Sequence, residues 1–163
     1  MSVTASVSIR PATPADAALI HQFILDLAEY EKLLETVEAT QADTEAALFG
    51  AQPRAFADIA ELDGEPVGFA LWFYNYSTFV GRHGIYLEDL FVRPAARGAG
   101  AGKALLANLA KRCVEEGLGR LEWSVLDWNA PSIAFYDSLG AASMDEWIIR
   151  RMTGEALRKL AEA

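Results

Sequence analysis

Glycines alternate with alanines in the segment RGAGAGK, residues 97–103, directly before a run with helical spacing of apolar residues. Because glycine has no Cβ atom, its backbone N–H group can approach an anion closely. The N-terminus of a helix adds about half a positive charge. Together these features predict a pyrophosphate-binding loop at the start of a helix. A purely structural tight turn is the alternative interpretation.

Two better-known nucleotide loops fit this segment poorly. The Walker pattern, G-x-x-x-x-G-K-[ST], requires glycine where this chain has Arg97 and a hydroxyl residue where it has Ala104. The dinucleotide fingerprint, G-x-G-x-x-G/A, fails at Leu105, and it also needs an acidic residue at the end of the next strand. Glu122 lies inside the predicted strand instead. The pattern that remains is R-x-x-G-x-G.

The elements that must position this loop follow from apolar periodicity and turn residues. A strand around Val7 and Ile9 precedes a helix over 13–35 and a second helix from Thr40 toward Gly50. A hairpin with its turn at Asp63 and Gly64 leads to a strand ending at Val92. The helix after the glycines is followed by a strand, a short helix, a late strand over 143–152 and a terminal helix. This order predicts an α/β fold, a mixed sheet with helices on both faces.

Composition narrows the classes of function. The chain has 163 residues and a net charge of −9, which predicts one domain over 1–163 and argues against nucleic-acid binding. The lone Cys113 forms no internal disulfide and is predicted to be buried, and the two histidines have no metal-ligand spacing. We therefore expect no metal. No membrane span or signal peptide is evident, so we expect a cytoplasmic protein without membrane contact.

Two motifs in order make the chain resemble the GNAT N-acetyltransferase superfamily. The first is the glycine loop, and the second is NAPSIAFYDSLG, residues 129–140, which matches N-x-x-[AS]-x-x-[FL]-Y-x-x-x-G. The stretches LAEYE, YLEDLFV and WNAPSIAFYDSLGA are most similar to the spermidine/spermine and thialysine (diamine) N-acetyltransferase branch. The chain differs from that branch by a shorter loop, LDGEP, and a shortened segment before Trp147. The resemblance implies a mostly antiparallel sheet with a splayed parallel pair.

The resemblance also implies which residues hold the co-substrate, acetyl-CoA. The pantetheine arm is expected along the backbone of the strand end, pairing like an added strand. The pyrophosphate is expected at the glycine loop, and two residues of the second motif are expected to touch the cofactor from the other side. The residues concerned are Leu90, Phe91 and Val92 in the strand, Arg97, Gly98, Ala99, Gly100, Ala101, Gly102 and Lys103 in the loop, and Asn129 and Ser132 in the second motif.

The implied reaction is acetyl transfer from the CoA thioester to an amine, which requires an acid and a base. Deprotonating an alkyl ammonium at pH 7 costs roughly 4–5 kcal/mol, so a base helps. Glu88 is the candidate base, directly or through water, and a structural salt bridge is its alternative role. In a regular strand Glu88 and Asp89 point to opposite faces, unless a bulge intervenes. Tyr136 matches the family's proton donor, with a core tyrosine as the alternative.

The same branch implies a pocket for a small cationic amine and a homodimer. The residues that match or adjoin its diamine site are Tyr30, Glu31, Asp89, Glu146 and Trp147. Glu31 as a solvated helix charge and Tyr30 as a core residue are the alternatives. The acceptor could instead be an amino acid, an aminoglycoside or a protein N-terminus. A non-catalytic acyl-CoA-binding module is the competing class of protein.

Overall fold

The computed structural model describes residues 5–163. The chain divides into two units, one that ends at Ser124 and one that runs from Val125 to Ala163.

The first unit contains a five-stranded sheet in the order β1-β2-β3-β4-β5. The strands are β1 (Val7–Pro11), β2 (Phe56–Leu62), β3 (Glu65–Ser77), β4 (Arg82–Val92) and β5 (Leu121–Trp123). Strands β1 to β4 pair with one another in antiparallel fashion, and β5 pairs with β4 in parallel. The predicted mixed sheet, mostly antiparallel with one parallel pair, is confirmed. The hairpin turn is confirmed as well, because β2 ends at Leu62 and β3 begins at Glu65.

Three α-helices belong to this unit: α1 (Ala17–Tyr30), α2 (Gln41–Phe49) and α3 (Ala101–Glu115). The chain enters α1 through a 3₁₀ turn over Pro14–Asp16, so the α-helix is shorter at both ends than the predicted range 13–35. Arg10 donates two hydrogen bonds to Asp16, at 2.7 and 2.9 Å, which fixes this turn to β1. Helix α2 begins as predicted: the Asp43 N–H donates to Thr40 Oγ1 at 3.2 Å.

Apolar side chains cover both faces of the sheet. Ile20 and Phe23 of α1 are fully buried, and the Phe23 ring stacks on Phe69 of β3 at 5.5 Å. Trp72, three residues after Phe69 in β3, contacts Arg112 of α3. Because successive side chains of a strand alternate between its two faces, Trp72 lies on the face opposite to Phe69. Cys113 of α3 is buried, as predicted. The sheet is therefore packed between α1 and α2 on one side and α3 on the other.

The second unit contains α4 (Ala130–Ser138) and α5 (Gly154–Ala161). The prediction of a late strand over 143–152 is wrong, because residues 141–153 form neither helix nor strand and contain a turn at 145–146. The alternation and β-branched residues of this segment favour an extended chain, but a strand also requires a neighbour with which to pair its backbone. No helix within residues 5–163 is both long and apolar enough to cross a bilayer.

Candidate active site

A β-bulge in β4 sets the position of its two acidic residues. Leu71 of β3 pairs with Asp89, but the next residue, Trp72, pairs with Leu87. Glu88 is therefore the extra residue of the bulge, without a partner in the register. A bulge re-aims side chains locally, and here Glu88 is exposed whereas Asp89 is half-buried. The sequence allowed for such a bulge, and the structure contains it.

Asp89 interacts electrostatically with two other carboxylates. Burial is the main cause that raises the pKa of Asp89, from 3.8 to about 7, and the charges of Glu88 and Glu31 raise it further. Glu31 follows the last residue of α1, and burial raises its pKa too. The structure thus brings Glu31, Glu88 and Asp89 together. Glu31 is half-buried and interacts electrostatically with Asp89, and its role in binding an amine stays a prediction.

Tyr30 and Arg97 connect this acidic group to the glycine loop. The Arg97 guanidinium lies 5.0 Å from the centre of the Tyr30 ring, and its Nε–H donates to Val92 O at 3.1 Å. Tyr30 is 37% exposed, so its ring is not a core side chain. A guanidinium over an aromatic face is stabilised by the ring quadrupole. The contact joins the end of α1, the end of β4 and the loop that follows.

The glycine loop presents a row of backbone N–H groups without protein acceptors. Within residues 5–163, none of the N–H groups of 98–103 has a protein acceptor, although Arg97 N–H donates to Pro94 O and Ala104 N–H donates to Gly100 O. Gly98 and Gly100 have φ angles of 88° and 89°, and no atom lies within 4 Å of where their Cβ atoms would be. The loop therefore meets α3 with its amides open, as an anion requires.

The segment around the glycine loop is positively charged, whereas the chain as a whole is negatively charged. Residues 90–114 carry five basic side chains and no acidic one, whereas the whole chain has a net charge of −9. Arg93, Arg97 and Lys103 flank the glycines. The local positive charge favours a phosphate group at this end of the sheet.

The end of β4 has one backbone edge that no described strand occupies. Strand β3 pairs with β4 as far as Val92, whereas β5 pairs only with Ile85, Tyr86 and Leu87. Beyond the bulge, β5 no longer pairs with β4, and no described strand pairs with the edge of Leu90–Val92 that faces away from β3. On this edge, the Arg97 Nε–H donates to Val92 O. Phe91 itself is buried, so its side chain packs while the backbone edge stays open.

The remaining predicted residues belong to the second unit. Asn129 is buried and caps α4, because the Ser132 N–H donates to its Oδ1 at 3.4 Å. Tyr136 lies on α4, half-buried, with its ring 5.5 Å from that of Phe135. Glu146 and Trp147 lie in the segment without regular structure, and Trp147 is 71% exposed. The sequence predicts a strand for both residues, and that prediction is wrong.

The sheet is mostly antiparallel, its parallel pair ends at a bulge in β4, and a glycine loop leads from β4 into a helix; this combination is typical of the N-acyltransferase fold. The pattern of the Acetyltransferase (GNAT) family matches residues 20–141. The chain belongs to this family, and it is an acetyltransferase.

Individual relatives agree with this assignment. A thialysine N-epsilon-acetyltransferase of Sus scrofa is 39% identical, covering 96% of this chain and 98% of that protein. An L-ornithine N5-acetyltransferase of Arabidopsis thaliana is 32% identical, covering 93% and 86%. An integron cassette protein from the mobile metagenome of V. cholerae has a solved structure that superposes with a TM-score of 0.79 at 27% identity, over 97% of this chain and 99% of that one.

Proposed function

We propose that this enzyme transfers the acetyl group of acetyl-CoA to the terminal primary amine of a small diamine. The acceptor is a diamino acid such as thialysine or ornithine, or a polyamine. One observation carries the proposal: the end of β4 lies between a row of unpaired backbone amides and three interacting carboxylates. The amides suit an anionic co-substrate, and the carboxylates suit a cationic acceptor. The names of the two relatives above both specify a diamino acid.

The residues present fit acetyl-CoA. The open amides of 98–103 would hold its pyrophosphate, and the β4 edge at Leu90–Val92, which no described strand occupies, would pair with its pantetheine arm. We propose that Asn129 and Ser132 contact the cofactor as well. When bound, acetyl-CoA supplies the activated acetyl group. The role of the protein is to hold it and to move protons.

The carboxylate group supports an acceptor with two amines. One ammonium must lose its proton to react, and a second can remain charged beside Asp89 and Glu31. We propose that Tyr30, Glu146 and Trp147 complete the amine pocket. An aromatic face near an ammonium contributes about 0.5–2 kcal/mol. A monoamine lacks the second charge and should react less efficiently.

We propose that Glu88 accepts the proton from the attacking ammonium, directly or through water. The exposure of Glu88 at the bulge supports this role, since a bound amine could reach it. A new N–C bond forms as the C–S bond of the thioester breaks. We propose that Tyr136 protonates the leaving thiolate. A phenol is a weaker acid than a thiol by about 1.5 pKa units. Hydrogen bonding from Tyr136 to the developing negative charge is therefore the larger part of its effect.

Asp89 is a second candidate for the base. Its pKa of about 7 matches the operating pH, which is the condition for efficient general-base catalysis. The two candidates are separated by comparing Glu88→Gln with Asp89→Asn. If Glu88 is the base, Glu88→Gln lowers kcat at every pH while the KM for the diamine changes little. If Asp89 is the base, it is Asp89→Asn that lowers kcat.

The test of the overall function is release of free thiol from acetyl-CoA with a panel of amines. The panel contains thialysine, ornithine, diamines, spermidine, monoamines, amino acids, aminoglycosides and a peptide with a free N-terminus. We expect the highest kcat/KM with a diamine or diamino acid. A preference for aminoglycosides or peptides would overturn the acceptor class. Tight CoA binding with no thiol release for any amine would favour the non-catalytic module.

We further propose that the chain is a single functional domain, works in the cytoplasm and forms a homodimer. Trp147, Ile148 and Ile149 are 71–80% exposed, and contiguous exposed apolar residues are typical of association surfaces. Light scattering on the purified protein tests the dimer. A monomer at micromolar concentration would refute it, without affecting the proposed reaction.

A further inference from the structure

A cavity lies in the first unit, lined by none of the residues predicted for the active site. Its volume is about 320 Å³. The ends of β1 and α2, strands β2 and β3, and helix α3 all contribute to its wall. The residues that matter for its chemistry are Phe56, Asp58, Trp72, Tyr74 and Arg112.

Three aromatic rings in mutual contact form one wall of this cavity. The ring centre of Phe56 lies 4.9 Å from that of Trp72 and 5.8 Å from that of Tyr74, and the centres of Trp72 and Tyr74 are 5.2 Å apart. The Arg112 guanidinium lies 5.0 Å from the Trp72 ring centre. Because Arg112 lies over the Trp72 ring, the rings of Phe56 and Tyr74 are the ones available to contact a bound aromatic group or cation.

Asp58 places a carboxylate in this aromatic setting with few partners. The residue is 3% exposed, and its Oδ2 accepts a 2.9 Å hydrogen bond from Trp72 Nε1–H. No basic side chain of the described residues comes within 4.0 Å of it. An ionised carboxylate has about four acceptor positions, so a single indole N–H leaves most of them unused. A buried charge with so few partners is costly unless a further donor is present.

Arg112 is near enough to influence Asp58 electrostatically, and its Nε is buried without a hydrogen-bond partner among the described residues. It forms its ion pair with Glu116 at 3.1 Å, and Glu116 also accepts a 2.8 Å hydrogen bond from the Tyr74 hydroxyl. The charged residues that line the cavity are Asp58 and Arg112. Arg112 has an ion-pair partner in Glu116, which lies outside the lining, so Asp58 is the lining charge without an ion-pair partner among the described residues. Negative charge with aromatic walls favours a cation rather than an anion.

We propose that this cavity binds the protonated amine of a small arylalkylamine, with the ammonium on Asp58 and the aryl group against Phe56 and Tyr74. The ammonium donates to the Asp58 carboxylate, which has no basic partner in the described fold. The aryl group makes the offset or edge contacts that aromatic rings prefer. The bound monocation gives the Asp58 carboxylate the ion-pair partner that the described residues do not supply.

The site is distinct from the acetyl-transfer site. Asp58 pairs in register with Ala70, and Ala70 pairs with Leu90, so these three residues share one face of the sheet. Asp89 pairs with Leu71, whose side chain packs against the core on the α1 side. Asp58 and Asp89 therefore lie on opposite faces, and the proposal does not depend on the acceptor proposed above.

The indole N–H of Trp72 offers a direct measurement, because it donates to Asp58. The chain has four tryptophans, so an ¹H–¹⁵N spectrum shows four indole signals, and loss of one in Trp72→Phe assigns it. We titrate the full chain with 2-phenylethylamine hydrochloride. Its uncharged counterpart, 2-phenylethanol, and an anionic analogue, 3-phenylpropionate, serve as controls.

We expect saturable movement of the Trp72 signal with the amine, and binding weaker by ~10- to 100-fold in Asp58→Asn, because a charge-assisted hydrogen bond is replaced by a neutral one. Asn retains an oxygen for Trp72 Nε1–H, and an unchanged melting temperature shows that the variant is folded. Asp89→Asn should bind as the wild type does. If Asp58→Asn does not fold, ~10-fold weaker binding of the alcohol to the wild type tests the same contact.

Three results would overturn the proposal: no movement of the Trp72 signal at millimolar amine, equal binding of the alcohol and the amine, or binding that Asp89→Asn abolishes and Asp58→Asn retains. The last result would assign the amine to the acetyl-transfer site instead. Each is independent of whether the chain acetylates a diamine.

Discussion

Replacing Asp89 by asparagine should stabilise the fold while impairing the enzyme. Burial and the charges of Glu88 and Glu31 raise the pKa of Asp89 from 3.8 to about 7. A raised pKa for an acid means that the folded state holds its proton more tightly than the unfolded state does. As pH rises from about 4 through about 7, the unfolded chain ionises first, and the fold loses stability over that interval.

The magnitude follows from the size of the shift. Three pKa units, at about 1.4 kcal/mol each, amount to about 4 kcal/mol when the pH is above 7, and partial exposure of the side chain screens some of it. Asparagine carries no charge at any pH. We therefore expect Asp89→Asn to raise the free energy of unfolding by about 2–4 kcal/mol at pH 8 and by about half as much at pH 5.

Urea denaturation at pH 5 and pH 8, followed by far-ultraviolet circular dichroism, measures this difference. Asp137→Asn is the matched control, because Asp137 is exposed and the substitution removes the same formal charge. It should change the free energy of unfolding by no more than about 0.5 kcal/mol. A gain at pH 8 that is no larger for Asp89→Asn than for the control would refute the reasoning. So would a gain that does not change between the two pH values.

Three further predictions concern activity. The kcat/KM for a diamine should rise as pH passes through about 7, because ionised Asp89 binds or deprotonates an ammonium. Asp89→Asn should lack this rise. A wild-type kcat/KM profile that is flat from pH 6 to 8 would contradict this role of Asp89. Gly100→Ala, at φ 89°, should weaken acetyl-CoA binding by ~10-fold in calorimetry, since its strain of about 1–2 kcal/mol distorts the amide row. Gly117→Ala, at φ 66°, carries similar strain at the end of α3 and should leave binding unchanged; equal loss in both variants would indicate general destabilisation. Tyr136→Phe should lower kcat by ~10- to 100-fold with acetyl-CoA affinity unchanged, and an unchanged kcat would remove the proposed acid.

Features that depend on local chemistry could be predicted from the sequence. The hairpin at Asp63 and Gly64, the start of α2 at Thr40 and the order of strands up to β5 are all observed. Each depends on residues a few positions apart, whose conformational preferences act wherever the segment lies in the fold. The glycine loop belongs to the same group, because positive φ at Gly98 and Gly100 needs no distant partner.

The late strand shows where such prediction ends. Trp147, Ile148 and Ile149 have strong β propensity, but residues 141–153 remain without regular structure. A strand is stabilised by hydrogen bonds to a neighbouring strand, and the identity of that neighbour is not encoded in the segment itself. Periodicity can therefore indicate what a segment favours, but it does not determine whether a partner is available.

By itself, the sequence determined the family, the mixed sheet and the glycine loop that opens α3, since motifs and turn residues act locally. Only the tertiary structure decided how the acids are arranged. The bulge that exposes Glu88 is a property of the pairing between β3 and β4. The raised pKa of Asp89 comes from the burial of β4 and from Glu31, which is 58 residues away in the chain. Desolvation and Coulomb interactions depend on distance in space, and folding alone sets that distance.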